Sequence, residues 1–205
     1  MKITNKHVFF WSGIFSNWHP ASFQFCGNNF ANSEQAFMWS KAITFNDEET
    51  AALILKEINP KEVKKLGRLI KGFDEITWNE KRYGCMYNVL LDKFMQNEEM
   101  LQVLLATGDK ILAEASPYDK IWGIGMDENE PGIEDESNWK GENLLGRVLM
   151  DVREYYREFN EYVGGRLAIA LFKGEFNDEL FTIIRMAEAR GQKYQWEESN
   201  KPKEK

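Results

Sequence analysis

The sequence predicts a mainly helical α+β domain of about eight helices, with a few short strands near the N-terminus and beside the site. Three observations carry this. Apolar residues recur at helical spacing through most of 32–107 and again from 144. Aromatics mixed with Gly, Asn and Ser fill 7–31, where no helical period exists. The stretch 116–142 has no period at all. The chain has 205 residues, 43% hydrophobic and 29% charged, so a core can form and chain-wide disorder is excluded.

Within 7–31, Val8–Trp11 and Ser22–Phe25 read as strands. Asn32 or Ser33 starts the first helix, which runs to about Ile43. Asn46 with Glu49 fits a capping box for the second, whose stripe is Ala51, Ile54, Leu55 and Ile58. Asn59–Pro60 ends it and opens a third, with Val63, Leu66 and Ile70 as its stripe and Gly72 as its stop. Thr77 with Glu80 fits a capping box for a long helix bearing Cys85, Met86, Val89, Leu90 and Phe94. Asn97 reads as the cap of a helix with Leu101, Leu104 and Leu105, ended by Gly108. Residues 110–115 read as a short strand.

Long aperiodic loops in compact domains are usually functional or disordered. Trp122 and Trp139 within 116–142 favour function. Asn143 then caps a strong helix carrying Leu145, Val148, Leu149, Val152, Tyr156 and Phe159. Gly164–Gly165 reads as a break, Asn177 as the cap of a last helix ended by Gly191, and 192–205 as a polar tail.

Charge and composition narrow the function. A net charge of −7 speaks against general coating of nucleic acid, because few phosphates would be neutralised. Two cysteines and two histidines, scattered, make neither a zinc pattern nor a disulfide scaffold. No signal-like or membrane-spanning run is visible, so a reducing cytoplasm is the expected location. His7 and His19 read as packing or surface residues.

Four constellations could carry chemistry. Glu34, in the first turn of its helix, shares a face with Lys41, about 10 Å further along. The helix end favours an ionised Glu34, suited to act as base, nucleophile or cation stabiliser. Asp119, Trp122 and Gly123 offer a carboxylate for ribose hydroxyls, a stacking wall and a close backbone approach. Asn143 and Gly146 open a helix whose N-terminus suits an anion. Trp11 and Asn17 lie in an aromatic cluster, and Trp78 opens another helix. Each also has a plain packing reading: a favoured first-turn acid, a solvated lysine, a turn cap, a helix cap, core aromatics.

In chain order, FWSGIFSNW, NSEQAFMWSK, LGR at 66–68, Trp78, KF at 93–94, LLATGDKILAEASPYDKIWGIG and NWKGENLLGRVLMDVRE resemble the NADAR family (named for NAD and ADP-ribose, also called YbiA-like). The resemblance covers about residues 8–158 and implies N-glycosidase chemistry between a base amine and ribose C1. It implies site roles for Glu34, Trp78, Asp119 and Trp122, with Lys41 and Asn143 beside them. Two substrate classes are associated with the family. One is ADP-ribose placed on guanine in DNA or RNA by toxin-like transferases; the other is the ribosylamino-pyrimidine intermediates of riboflavin biosynthesis. The long acidic stretch between WGIG and NWKG leans toward ADP-ribosyl-guanine.

The resulting expectation is an N-glycosidase domain over 1–159 and a C-terminal helical extension with a polar tail over 160–205. Glu34, Lys41 and Asp119 are the expected catalytic residues, and Trp11, Asn17, Trp78, Trp122, Gly123, Asn143 and Gly146 the substrate-binding ones. No metal, cofactor or membrane is expected, and no protein partner is assigned. Two routes are open: direct hydrolysis with Glu34 and Asp119, or a Schiff base on Lys41. Non-catalytic rivals are a reader of NAD or ADP-ribose and an inert adaptor.

Overall fold

Asn32 opens the helical part of the chain. Its side chain accepts the Gln35 amide at 2.9 Å and so caps α1 (Ser33–Thr44). Ahead of it lie β1 (Lys2–Ile3), β2 (His7–Phe10), β3 (Phe23–Phe25) and β4 (Asn28–Phe30). Then follow α2 (Glu48–Lys56), α3 (Pro60–Leu66), α4 (Glu75–Met95), α5 (Glu98–Ala106), β5 (Ile111–Glu114), a 3-10 turn at Glu136–Asn138, and α6 (Leu144–Lys173). The computed structural model describes the backbone of residues 1–173 and side chains through Phe159. The mainly helical α+β class stands, with six α-helices among the described residues instead of about eight.

Several boundaries move for local reasons. Asp47, not Asn46, caps α2 by accepting the Thr50 amide, while Asn46 takes a left-handed conformation. Asp74 caps α4, three residues before the Thr77 start read from the sequence. Asn97 makes no side-chain cap bond; it donates to Ser22 and Lys93 carbonyls. Cys26 and Gly27, both at positive φ, turn β3 into β4, a strand missing from the sequence reading. Gly164–Gly165 does not break α6, since two glycines add only about 1 kcal/mol each against neighbouring helix formers. The helix expected from Asn177 lies outside the described residues.

The chain divides into two compact units, 1–154 and 155–205. In the second, the Tyr155 ring meets Tyr156 at 5.2 Å and Phe159 at 6.4 Å. In the first, β1 pairs antiparallel with β2, and β2 pairs in parallel with β5, Phe10 opposite Glu114. A core of Ala42, Ala51, Ile54, Val63 and Ile70 joins the first three helices. Phe9, Ala113, Ala115, Ile124, Met126 and Ile133, with Trp139 against them, bury the sheet under the 116–142 stretch. That stretch is therefore ordered.

Its order comes from backbone pairing. The Ile124 amide donates to Glu114 at 2.9 Å, Lys140 to Ile124 at 2.9 Å, and Asn143 to Gly123 at 3.1 Å. Three glycines permit this. A Cβ on Gly123 would lie 2.8 Å from the Asp119 carbonyl and 2.9 Å from that of Glu114. One on Gly141 would strike the Gly123 carbonyl, and one on Gly146 the Leu112 carbonyl. Rigid backbone cannot yield as a flexible side chain would. Gly146→Ala is therefore expected to lower stability by about 1–3 kcal/mol, read as a lower urea midpoint with unchanged slope.

Candidate functional site

Glu34 is the second residue of α1 and is 6% exposed. Its amide donates to the Asn17 carbonyl at 3.0 Å. The Trp18 indole N–H donates to its carboxylate. Burial pushes Glu34 up to about 7; Lys64 and the Trp18 bond pull it down, and Asp119 pushes it up again. The expectation that the helix end keeps Glu34 ionised is thus corrected to a group poised near neutrality. A helix end offers at most about 2 kcal/mol, and loss of water outweighs it. Glu34 can act as acid or base near neutrality.

Glu114, the last residue of β5, faces the same field. Burial pushes it up to about 7, Asp119 and Glu34 adding to the rise and Lys64 opposing it. Its Oε2 is buried without a hydrogen-bond partner. The sequence reading passed over it. The available signal was a lone acid between Ala113 and Ala115 in a strand that ends at the aperiodic stretch. Lys64 and Trp18 were also missed. Lys64 looks like any solvated residue of an amphipathic helix, and Trp18 like another core aromatic.

Asp119 divides its oxygens. Oδ1 accepts the Ile121 and Trp122 amides at 3.0 and 2.8 Å and closes the turn. Oδ2 lies 4.0 Å from Lys64 Nζ. Turn closure thus leaves one oxygen beside the lysine.

Next to these carboxyls runs a row of rings. Trp122 meets Phe37 edge-on at 5.1 Å, Phe37 meets Trp78 at 5.2 Å, Trp78 meets Phe45 at 6.4 Å, and Phe45 meets Phe73 at 5.3 Å. Lys41 stands at the far end. Its Nζ donates to the Gly67 carbonyl at 2.9 Å and lies 4.2 Å over the Phe73 ring. Burial lowers its ammonium from the usual lysine range. No ion pair joins Lys41 to Glu34 among the described residues.

The other expected residues separate. Trp11 is 51% exposed, 6.2 Å from the ring of Tyr118, which is 86% exposed. Trp11 follows Phe10, the register partner of Glu114, at the end of β2. Asn17 is buried, with Oδ1 unpartnered. Gly123 and Gly146 face backbone, as described above. Asn143 neither caps α6 nor is free for a phosphate. At φ 53°, its Oδ1 accepts the Glu114 amide at 3.1 Å and its Nδ2 donates to Leu112 at 2.9 Å. The first amides of α6 are engaged too, Leu144 with Ile121 and Leu145 with Trp122. The expected anion site at this helix start is thus filled by the protein's own carbonyls.

His7 is buried and stacks on Phe9 at 5.1 Å, a packing residue as expected. Among the described residues no group of three His, Cys, Asp or Glu side chains is arranged to hold a metal ion. No described helix is long and apolar enough to cross a membrane.

The raised Glu34 group has a thermodynamic signature. Its folded-state value of about 7 exceeds its unfolded value of 4.5, so the folded chain binds the extra proton between them. Its contribution is most favourable below pH 4.5 and is lost as pH rises to about 7. Glu34→Gln is therefore expected to raise Tm more at pH 8 than at pH 5. An equal change at both values would contradict the burial account.

Comparisons with known proteins place the chain in a family. The NADAR domain model matches residues 9–157. Protein irg-1 of Caenorhabditis elegans is 40% identical over 169 residues, covering 75% of this chain and 80% of that protein. N-glycosidase R617 of Acanthamoeba polyphaga mimivirus is 37% identical over 164 residues, covering 74% and 96%. The solution structure of the E. coli protein YbiA matches with a TM-score of 0.61 at 26% identity, over 86% of this chain and 94% of that one. With most of the chain under one family model, it belongs to the NADAR domain family.

Proposed function

We propose that the chain is an N-glycosidase that cleaves between a base amine nitrogen and ribose C1, with ADP-ribosyl-guanine in nucleic acid as substrate. The observation that carries this reading is the pair of carboxyls, buried Glu34 and half-buried Glu114 with its Oε2 enclosed, both pushed up to about 7 in the field of Asp119 and Lys64. Such a bond needs a proton for the departing nitrogen and negative charge beside an oxocarbenium-like C1. Coupled carboxyls near neutrality supply both.

In this scheme a protonated carboxyl gives its proton to the base nitrogen. The C1–N bond breaks and its electron pair leaves on nitrogen. The ionised partner, with Asp119, balances the positive C1. Water adds to C1 and loses its proton to the carboxylate that gave one up. The row from Trp122 to Trp78 supplies flat apolar surface for the sugar-linked rings.

The name of the mimivirus relative supports the bond class. The nucleic-acid part rests on two features: the ordered 116–142 stretch, and Trp11 and Tyr118, whose exposed faces can take a further ring. A Schiff base on Lys41 has less support. Its lowered ammonium suits attack, but its Nζ is held by Gly67 and by the Phe73 ring, with no contact to the carboxyls.

Incubation with an ADP-ribosyl-guanine oligonucleotide, followed by mass spectrometry, is expected to release free ADP-ribose. In parallel, a ribosylamino-pyrimidine of riboflavin biosynthesis is expected to stay intact; release from it alone would transfer the activity to that substrate. Release from neither would sink the glycosidase reading. Glu34→Gln is expected to lower turnover by about 100-fold or more. Borohydride is expected to trap no adduct; one that vanishes in Lys41→Ala would replace the direct route.

A further inference from the structure

Lys93 lies in α4 and is 0% exposed, yet no acidic side chain of the described residues pairs with it. A buried amine without a counter-charge is unfavourable unless its protons are well placed. Here two are: Nζ donates to the Ile14 carbonyl at 2.8 Å and to the Ser16 carbonyl at 3.3 Å. Both carbonyls belong to one tight turn. Gly13 starts it at φ 82°, the Ser16 amide donates back to Gly13 at 2.9 Å, and the Trp18 amide donates to Ser16 Oγ at 3.2 Å.

The same turn delivers both groups that hold Glu34: the Asn17 carbonyl, which takes its amide at 3.0 Å, and the Trp18 indole, which donates to its carboxylate. These elements form a mechanical series from α4 through the turn to the carboxyl.

We propose that Lys93 is a positioning residue: by gripping the carbonyls of Ile14 and Ser16 it fixes the Gly13–Trp18 turn, and so fixes Trp18 and Asn17 on Glu34. The inference rests on the reading that Glu34 takes part in the reaction. Lys93 itself is too enclosed to meet substrate, unlike half-buried Lys41. Burial pulls the Lys93 ammonium down to about 7, so the grip rests on the two bonds to Ile14 and Ser16, which tighten while the amine carries its proton. The groups facing Glu34 are Trp18 from the turn, Lys64 from α3, and Asp119 and Glu114 from β5 and the segment after it. Lys93 acts on the first alone. His19 is the titratable neighbour in whose field Lys93 stands.

The test is the titration of Glu34 in the free protein, followed by 13C NMR of its carboxyl and assigned with Glu34→Gln. Loosening the turn removes the Trp18 bond that pulls Glu34 down. Lys93→Met is therefore expected to move the midpoint up by about one pH unit. Trp18→Phe is expected to do the same, and the double variant to move it no further than either alone. With an ADP-ribosyl-guanine oligonucleotide, Lys93→Met is expected to lower kcat about ten- to a hundredfold with KM little changed. If Lys93→Met does not fold, Lys93→Gln, whose amide keeps one donor, is expected to show a smaller rise.

An unmoved Glu34 midpoint in a folded Lys93 variant overturns the proposal, as do additive shifts in the double variant. Full turnover by Glu34→Gln would instead remove the reading beneath it, whatever Lys93 does to the midpoint.

Discussion

The whole site hangs from one close passage of backbone on backbone at the end of β5. There the segment after the strand folds back, the Ile124 amide meets the Glu114 carbonyl, and the start of α6 closes over both. Gly123, Gly141 and Gly146 stand where any side chain would collide with carbonyls. Asn143 ties the layers together with one bond to the Glu114 amide and another to the Leu112 carbonyl. Glu114 and Asp119 are fixed at this junction, and Trp122 is carried beside them. Small residues here serve contact between chain segments.

Electrostatics follow from that architecture. Three carboxyls and one lysine are brought together, and burial makes Glu34 and Glu114 resist ionisation while Lys64 moderates the repulsion. Folding alone would do better with amides at these positions.

Much of this was legible in the residues. The helical stripes, the Asn32 cap and the 110–115 strand follow from local periodicity and side-chain hydrogen bonding, both short-range properties. Glu34, Asp119, Trp78 and Trp122 could be named as candidates because each lies in a short contiguous motif. Lys64, Trp18 and Glu114 were not, because their meeting depends on α3, the 13–18 turn and β5 converging from distant parts of the chain. The charge state of Glu34 was misjudged for a related reason: a helix end is readable in sequence, whereas the depth of burial is a tertiary quantity. Asn143 likewise looked like a cap, and only the neighbouring strand shows what its amide is for.

The parallel pairing of β2 with β5 has a consequence in time. Phe10 and Glu114 are neighbours in the sheet but stand at opposite ends of most of the domain. Closing so large a loop is slow, and a parallel pair needs its intervening helices first. During synthesis α1 can coil soon after its residues emerge, carrying Glu34 with it. The carboxyls at and beyond β5 arrive only after five helices have been made, and the junction locks only when Asn143 and Gly146 have left the ribosome. A nascent chain therefore carries Glu34 well before Glu114 and Asp119, and the three carboxyls can meet only once Gly146 has emerged.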